Sequence, residues 1–221
     1  MRDKSALLRG FRLRLQRRAR RAGLTISPDL CDRLAVYVEL LDRWNQRINL
    51  TALTDPNGAI DRLLLEPISA ARHVSPAARS LLDIGSGGGS PAIPMRLSLP
   101  GLALTMVESK ARKSAFLREA IRTLGIEGTR VETARYEELL TRPELHEAFD
   151  ILSLRAVRTD ARSLANLEAF LRPGGAMFLF AAEGAEHETA NLPPSLTLAA
   201  DLPLIDSLRS RLLILERRRR R

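Results

Sequence analysis

The chain of 221 residues contains a single cysteine, Cys31. One thiol can form neither an internal disulfide nor a cysteine-based zinc site. No apolar run approaches the roughly 20 residues that span a bilayer, and the N-terminus has no apolar signal core. These absences exclude a disulfide scaffold, and they predict a cytoplasmic protein that does not enter a membrane.

Lysine is also scarce, since only three of the 35 basic residues are lysine. Residues 1–21 carry a net charge of +8 and residues 217–221 add +5, so the formal charge of +9 leaves −4 for residues 22–216. The two ends therefore hold all the excess positive charge. Arginine-rich ends suit a polyanion, because each arginine can neutralise a phosphate and release a counterion.

Two other interpretations of these basic ends stay open. A coding bias toward GC would raise arginine throughout the chain and leave the ends as solubilising tails. An arginine-rich, acid-poor N-terminus is also typical of a mitochondrial presequence. We favour contact with a nucleic acid over both.

The first part of the chain is predicted to be helical. Apolar side chains recur at spacings of three and four, which predicts helices over residues 5–22, 28–46 and 56–73. Ser27 can cap the second helix and Asp55 the third. We therefore assign residues 1–75 to a basic helical N-terminal extension and cap.

From residue 76 onward, short apolar runs alternate with helical patterns. Strands are predicted over residues 80–84, 102–108, 129–134, 149–154 and 176–181, with two candidates at 196–202 and 211–216. Helices are predicted over residues 92–98 and 110–125, and from residue 160 to a stop at Pro173 and Gly174. This alternation implies an α/β fold with a doubly wound, mostly parallel sheet. Residues 76–221 would form this core and its basic C-terminal tail.

Four glycines follow the first predicted strand at once, within the sequence DIGSGGGSPAIP: Gly85, Gly87, Gly88 and Gly89. Ligands of open α/β sheets bind beyond the carboxyl ends of the strands. The loop alone is compatible with a dinucleotide site, an S-adenosylmethionine site or a tight turn.

The residues after the loop argue against two of the phosphate-binding classes. A nucleotide-triphosphate loop would continue with lysine and then serine or threonine, whereas Ser90-Pro91-Ala92 follows here. A dinucleotide fingerprint would place its third glycine at position 90, where Ser90 stands.

Two acidic residues flank the loop. Glu108, at the end of the second predicted strand, is placed to accept hydrogen bonds from both ribose hydroxyls of an adenosine, a role that NAD would also satisfy. Asp83 would repel a pyrophosphate but attract the ammonium group of a methionine moiety. Together they favour S-adenosylmethionine as the cofactor.

These motifs, taken in order, resemble a known family. The segment LLDIGSGGGSPAIPMRL, followed by VESKARKSAFLRE, is similar to class I methyltransferases with a Rossmann-like fold. More narrowly it resembles the small-subunit (16S) rRNA guanine-N7 methyltransferases, also called the glucose-inhibited division protein B family. Further matches are LLDRWNQRINLTALTDP, FDILSLRAV and LRPGG. The resemblance covers about residues 30–221.

The resemblance also implies which residues contact S-adenosylmethionine. Carried over motif by motif, the cofactor-binding residues are Asp83, Gly85, Gly87, Gly89, Ser90, Glu108, Tyr136, Glu137 and Arg155. Tyr136 and Glu137 would meet the adenine region. Arg155 would lie at the mouth of the site, although a structural ion pair is the alternative role for it.

Two positions depart from the family pattern in ways that bear on the substrate. Ser90 replaces a bulky apolar residue, which predicts looser packing on the cofactor or additional space for the substrate. Glu183 replaces a lysine near the expected RNA face, and the basic ends would supply the missing attraction.

The implied reaction is methyl transfer to N7 of a guanine in 16S rRNA. N7 has an in-plane lone pair and no proton, so transfer needs alignment and exclusion of water but no general base. We therefore assign no catalytic residue and no metal. The expected partner of the monomeric enzyme is 16S rRNA, in the small ribosomal subunit or an assembly intermediate.

Three alternatives remain at the level of the sequence. The chain could be a methyltransferase of the same fold that acts on a protein or a small molecule. It could be an NAD-linked oxidoreductase, which the missing third glycine disfavours. It could also be a non-catalytic RNA-binding protein of ribosome assembly, an interpretation that Ser90 and Glu183 keep open.

Overall fold

Seven strands form one sheet in the computed structural model, which describes residues 4–52, 55–157, 160–182 and 192–219. The strands are β1 (Ser80–Ile84), β2 (Ala103–Val107), β3 (Thr129–Glu132), β4 (Phe149–Arg155), β5 (Leu171–Ala182), β6 (Leu196–Pro203) and β7 (Ser210–Arg217). The α-helices are α1 (Lys4–Arg21), α2 (Pro28–Asn45), α3 (Pro56–Ile60), α4 (Glu66–Ala71), α5 (Ala92–Ser98), α6 (Ala111–Leu124), α7 (Tyr136–Leu139) and α8 (Ala161–Leu167).

The strand order is β3-β2-β1-β4-β5-β7-β6, with the first five strands parallel and β7 antiparallel to both of its neighbours. The chain moves outward from β1 through β2 to β3, then crosses to β4 on the other side of β1. The sheet therefore has its topological switch point between β1 and β4. Ligands of doubly wound sheets bind at the carboxyl ends of the strands at such a point.

Each central strand supplies side chains to two cores, one on each face of the sheet. Leu81 lies in the core beneath α1, α2, α5 and α6, whereas its neighbour Leu82 lies in the core beneath α7 and α8. This alternation follows from the period of two in a strand. Because both faces are covered, the adjacent residues Leu81 and Leu82 of β1 are both apolar and buried, as expected for a parallel strand.

The helix predicted over residues 56–73 is interrupted. Residues Asp61–Leu65 form a π-helical turn, and the last helix of the segment ends at Ala71. Pro67 provides the physical reason, since proline has no N–H to donate and its ring clashes with the carbonyl four residues earlier. One turn of wider helix relieves that clash.

The prediction that Pro173 and Gly174 end a helix was wrong. The helix ends at Leu167, a 3-10 turn covers Glu168–Phe170, and β5 already begins at Leu171. The register between β4 and β5 shifts just here, and Gly174 has φ +82°. Proline cannot donate a hydrogen bond to the ladder, so within a sheet it is confined to irregularities such as this one, where the regular ladder is already interrupted.

Helix α1 is fixed to the rest of the protein on one side. Leu15 and Ala19 are buried in the core that α2 shares with the sheet. The Arg18 guanidinium forms a bidentate ion pair with Asp61 in the π-helical turn, and the Ser207 hydroxyl donates a third hydrogen bond to the same carboxylate at 2.5 Å. No helix of the described residues is both long and apolar enough to cross a membrane.

Candidate functional site

A cavity of about 400 Å³ opens at the switch point of the sheet. One side consists of the glycine loop after β1, Arg155 and Ala156 at the end of β4, and residues 180–182 at the end of β5. The facing wall comes from the helical N-terminal part of the chain, through Leu41, Leu50, Thr51, Arg62 and Leu63. The cavity therefore lies between the sheet and the N-terminal helices.

The glycines of the loop serve different purposes. A Cβ on Gly89, where φ is +86°, would lie 2.5 Å from the Ile93 side chain, so this glycine is required by the packing of α5. A Cβ on Gly85 would meet Val157 at 3.0 Å. A Cβ on Gly87 would meet nothing closer than a backbone oxygen at 3.7 Å, and Gly87 borders the cavity. Gly87 therefore keeps open the space that a ligand would occupy.

Gly88 has no room for a side chain, because helix α2 packs directly on its backbone. The hydroxyl of the buried Tyr37 donates a hydrogen bond of 2.5 Å to the Gly88 carbonyl. A Cβ at this position would lie 3.2 Å from both the Leu41 side chain and the Leu50 carbonyl oxygen. Burial raises the pKa of Tyr37, so the phenol remains a donor at neutral pH.

Ser90 is a bonded part of the cavity wall. Its hydroxyl donates to the Leu63 carbonyl at 2.9 Å and accepts from the Arg155 guanidinium at 3.0 Å. The small polar side chain thus links the glycine loop to the π-helical turn, and its looser packing on the cofactor stays a prediction.

The carbonyl groups that receive these bonds are available because of the irregular helix. In an α-helix the Leu63 carbonyl would accept from residue 67, but Pro67 has no N–H. The Glu66 N–H bonds to the Asp61 carbonyl, which leaves the Arg62 carbonyl free to accept from Arg155 at 2.8 Å.

Arg155 forms the structural ion pair considered for it and also borders the cavity. Its side chain borders the cavity while only 15% exposed, and its guanidinium lies 2.5 Å from the fully buried carboxylate of Glu66. That contact is ionic and lacks the alignment of a hydrogen bond. The guanidinium also stacks over the Phe180 ring, 4.6 Å from its centroid. Arg155 therefore holds the wall together, and it shares the Glu66 carboxylate with Arg62, whose guanidinium lies 3.0 Å from the other carboxylate oxygen.

Asp83 lies behind the glycine loop and does not border the cavity directly. It is only 1% exposed; Oδ1 accepts a 2.6 Å hydrogen bond from Ser153, while Oδ2 has no partner among the described residues. Burial raises the pKa of Asp83 to about 6, against the opposing effect of the Ser153 hydrogen bond. A carboxylate left half-satisfied in this way favours a cation nearby.

Glu108 fixes the same loop from the side of β2. Its carboxylate accepts from the Gly87 N–H at 2.9 Å and from the Lys110 N–H at 2.8 Å. Each carboxylate oxygen can accept more than one hydrogen bond, so capacity for a ligand remains. Tyr136 and Glu137 begin α7 after β3, outside the residues that border the cavity.

The structure thus brings Gly85, Gly87, Ser90 and Arg155 together at the cavity, and places Asp83, Gly89 and Glu108 just behind it. Sequence reasoning missed Tyr37, Arg62 and Phe180. Pro67 within an apolar helical segment was the available signal for the irregular turn that contributes Arg62. Glu183, the other departure from the family pattern, lies outside the described residues.

Comparisons of sequence agree on one family. The family model described as rRNA small subunit methyltransferase G matches residues 30–206. A protein named ribosomal RNA small subunit methyltransferase G from Stenotrophomonas maltophilia (strain K279a) is 36% identical over 183 residues, which cover 83% of this chain and 84% of that protein. One of the same name from Xanthomonas euvesicatoria pv. vesicatoria (strain 85-10) is 37% identical over 76% of each chain.

Solved structures share the fold at much lower identity. A proposed O-methyltransferase from Klebsiella pneumoniae superposes with a TM-score of 0.61 at 16% identity, covering 96% of this chain and 99% of that chain. The cofactor-bound protein Rv0187 from MTB gives a TM-score of 0.58 at 16% identity, covering 86% and 91%. The predicted α/β fold of the class I methyltransferases is thereby confirmed.

The contrast between Gly87 and Gly89 can be tested by two alanine variants. Gly87→Ala should keep the fold at a cost of about 1–2 kcal/mol for the left-handed backbone, but lower the affinity for S-adenosylmethionine by tenfold or more. Gly89→Ala should cost a further 1–3 kcal/mol or so from overpacking against Ile93. Urea denaturation and calorimetric titration measure the two effects. Equal stability of the variants, or undiminished affinity in Gly87→Ala, would contradict the assignment.

The raised pKa of Asp83 predicts a pH dependence of stability. Between its ordinary value of 3.8 and the folded value of about 6, the native state binds more protons than the unfolded state. The free energy of unfolding should therefore fall as pH rises through this window, by at most about 3 kcal/mol.

Asp83→Asn should remove that fall, because asparagine does not ionise. Urea denaturation at pH 4.5 and 7 measures the difference between wild type and variant. Asp42→Asn, on the exposed surface of α2, is the matched control and should retain the wild-type dependence. If Asp83→Asn and wild type lose stability in parallel over this range, the pKa of Asp83 is not raised into it and the assignment is contradicted.

Proposed function

The chain belongs to the rRNA small subunit methyltransferase G family, and we propose that it methylates N7 of a guanine in 16S ribosomal RNA with S-adenosylmethionine as the donor. The observation that carries the proposal is the cavity at the switch point, whose floor at Gly87 is bare backbone. Methyltransferase activity on ribosomal RNA follows from the family. The cofactor, the residues that bind it and the atom methylated are the proposal.

The charges around the cavity support a cationic ligand over a phosphate. Arg62 and Arg155 share the Glu66 carboxylate, and the buried Asp83 carboxylate acts on Arg155 as a second negative charge, so two carboxylates offset the two guanidinium groups and leave no net positive charge for a pyrophosphate. Behind the loop, the Asp83 carboxylate keeps one oxygen without a partner among the described residues. The ammonium and sulfonium groups of S-adenosylmethionine suit that potential, whereas the diphosphate of NAD does not.

The residues that would hold the cofactor fall into four groups. Gly85 and Gly87 leave the loop open to the methionine part, with Asp83 supplying negative charge behind them and Gly89 letting the loop pack on α5. Glu108 would accept from the ribose hydroxyls while it holds Gly87. Tyr136 and Glu137 would meet the adenine. Ser90 and Arg155 would shape the wall on the side of the reacting group.

S-adenosylmethionine, when bound, supplies an electrophilic methyl group. The protein then has to orient a guanine and exclude water, and no proton needs to be removed from N7. Leu41 and Leu50 provide an apolar wall against water, and Phe180 presents an aromatic side chain at the same cavity. The bonded wall of Ser90 and Arg155 keeps this geometry fixed.

The proposal also covers the partner of the enzyme, its oligomeric state and its location in the cell. We infer that the enzyme acts as a monomer in the cytoplasm, on 16S rRNA in the small subunit or an assembly intermediate. N7 faces the deep and narrow major groove of an RNA helix, so the target guanine must lie in a loop or an open part of the particle. Among the described residues, no cluster of metal-ligating side chains is present.

Transfer of a labelled methyl group tests the proposal. Small ribosomal subunits from cells that lack the protein are incubated with the enzyme and methyl-labelled S-adenosylmethionine. We expect label on one guanine, as N7-methylguanosine in a nucleoside digest. Subunits from cells that contain the protein serve as the control and should accept little label. Label on another atom, or none on the unmodified subunits, would refute the proposal.

A further inference from the structure

The two basic ends of the chain occupy different places in the fold. Helix α1 contacts the π-helical turn through Arg18 and Asp61, and the next residues of that turn, Arg62 and Leu63, form part of the cavity wall. The pKa of Asp55 is lowered mainly by hydrogen bonds from the backbone at Gly58, and the charge of Arg14 lowers it further. Helix α1 therefore lies against the elements that build the cavity.

Four arginines of α1 point away from the protein: Arg14, Arg17, Arg20 and Arg21. They line a shallow depression along the outer side of the helix, together with Gly10, Leu13 and Gln16. None of the four forms a salt bridge or side-chain hydrogen bond with another described residue. Arg12 differs from them, since it pairs with Asp32 at 2.8 Å.

The basic C-terminal end of the chain lies away from the cavity. Arg217, at the end of β7, is 15% exposed and donates to the Leu171 carbonyl and to Glu147. Because β7 runs antiparallel to β5, this end of β7 lies beside the start of β5. The cavity is at the other end of β5, near Phe180.

The length of β5 separates Arg217 and Arg219, which lie near Leu171 and Gly174, from the cavity. Leu171 pairs with Phe149 and Phe180 pairs with Arg155, so the span equals six residue steps of β4, or about 20 Å at roughly 3.3 Å per residue. The Debye length at physiological salt is about 8 Å, so charges at that distance are screened from a substrate at the cavity. The two ends are therefore not equivalent in their electrostatic effect on the site.

We propose that the outer face of α1, formed by Arg14, Arg17, Arg20 and Arg21, binds the phosphate backbone of the substrate RNA beside the cavity, and that the C-terminal arginines do not. This inference rests on the proposed function and deepens it. Residues 30–206 match the family model, so α1 lies outside the matched segment. The net charge of −4 on residues 22–216 makes the excess positive charge of α1 favourable for a polyanionic substrate.

RNA fits this surface better than an anionic membrane does. A helix that binds a bilayer surface inserts an apolar face opposite its basic one. The apolar side of α1 is already used, because Leu15 and Ala19 are buried and Phe11 packs on the same core. Leu13, 69% exposed, stands alone among the arginines. Guanidinium groups on a rigid helix suit phosphates, which they can bind in a bidentate manner.

Two variants with equal loss of charge separate the ends. In the first, Arg14, Arg17, Arg20 and Arg21 are changed to glutamine, which keeps helix propensity and leaves the Arg18–Asp61 ion pair intact. In the second, the four arginines at 218–221 are changed to glutamine. A third variant carries lysine at the four α1 positions and so keeps the charge.

Binding to unmodified small ribosomal subunits is measured over a range of salt, together with KM, kcat and calorimetric affinity for S-adenosylmethionine. The first variant should lose about three units of the slope of log K against log salt, and on the order of 100-fold in affinity at physiological salt. KM for the subunits should rise, while kcat and cofactor affinity stay unchanged. The tail variant and the lysine variant should behave like wild type.

An unchanged salt slope in the first variant would overturn the proposal, as would an equal loss in the tail variant. Binding of wild type to phosphatidylserine vesicles through the same arginines, with RNA affinity unaffected, would assign the surface to membranes instead. Failure of the proposed function is distinguishable: subunits bound through α1 but never methylated would refute that function alone. Methylation at wild-type KM by the first variant would refute the α1 contact alone.

Discussion

The site depends on the glycine loop being bonded on every side before a ligand enters. The Gly87 N–H donates to Glu108 beyond β2, and the Gly88 carbonyl accepts from Tyr37 in α2. Ser90, at the end of the loop, donates to the Leu63 carbonyl. These bonds join the sheet, helix α2 and the π-helical turn through a few atoms of backbone. The shape of the cavity follows from them.

This arrangement explains why an irregular helix is retained next to the cavity. Pro67 and the wide turn before it leave two carbonyl groups without helical partners. Buried carbonyl groups must be bonded, and here Ser90 and Arg155 satisfy them. The same turn carries Asp61, the anchor of α1. One departure from helical geometry thus positions both a wall of the cavity and the basic helix beside it.

The sequence was informative wherever periodicity and composition decide the structure. The pattern of the sequence predicted five strands and offered the last two as candidates, and the glycines placed the loop at the carboxyl edge of β1. Contacts between segments that are distant in the sequence could not be predicted in the same way. A Pro-Gly pair usually ends a helix, but Pro173 and Gly174 lie at a shift of register that only the pairing of β4 with β5 creates. The hydroxyl of Ser90 finds its partners through tertiary packing, as does the phenol of Tyr37.

Hydrogen exchange of the Gly87 amide tests the central claim that the loop is formed before the ligand binds. In ligand-free protein, NMR should show this amide protected by its bond to Glu108. Tyr37→Phe removes the bond to Gly88, and exchange at Gly87 should become tenfold faster or more as the loop loosens. Exchange at the rate of an unstructured peptide in ligand-free wild type, with protection only after S-adenosylmethionine is added, would contradict the account.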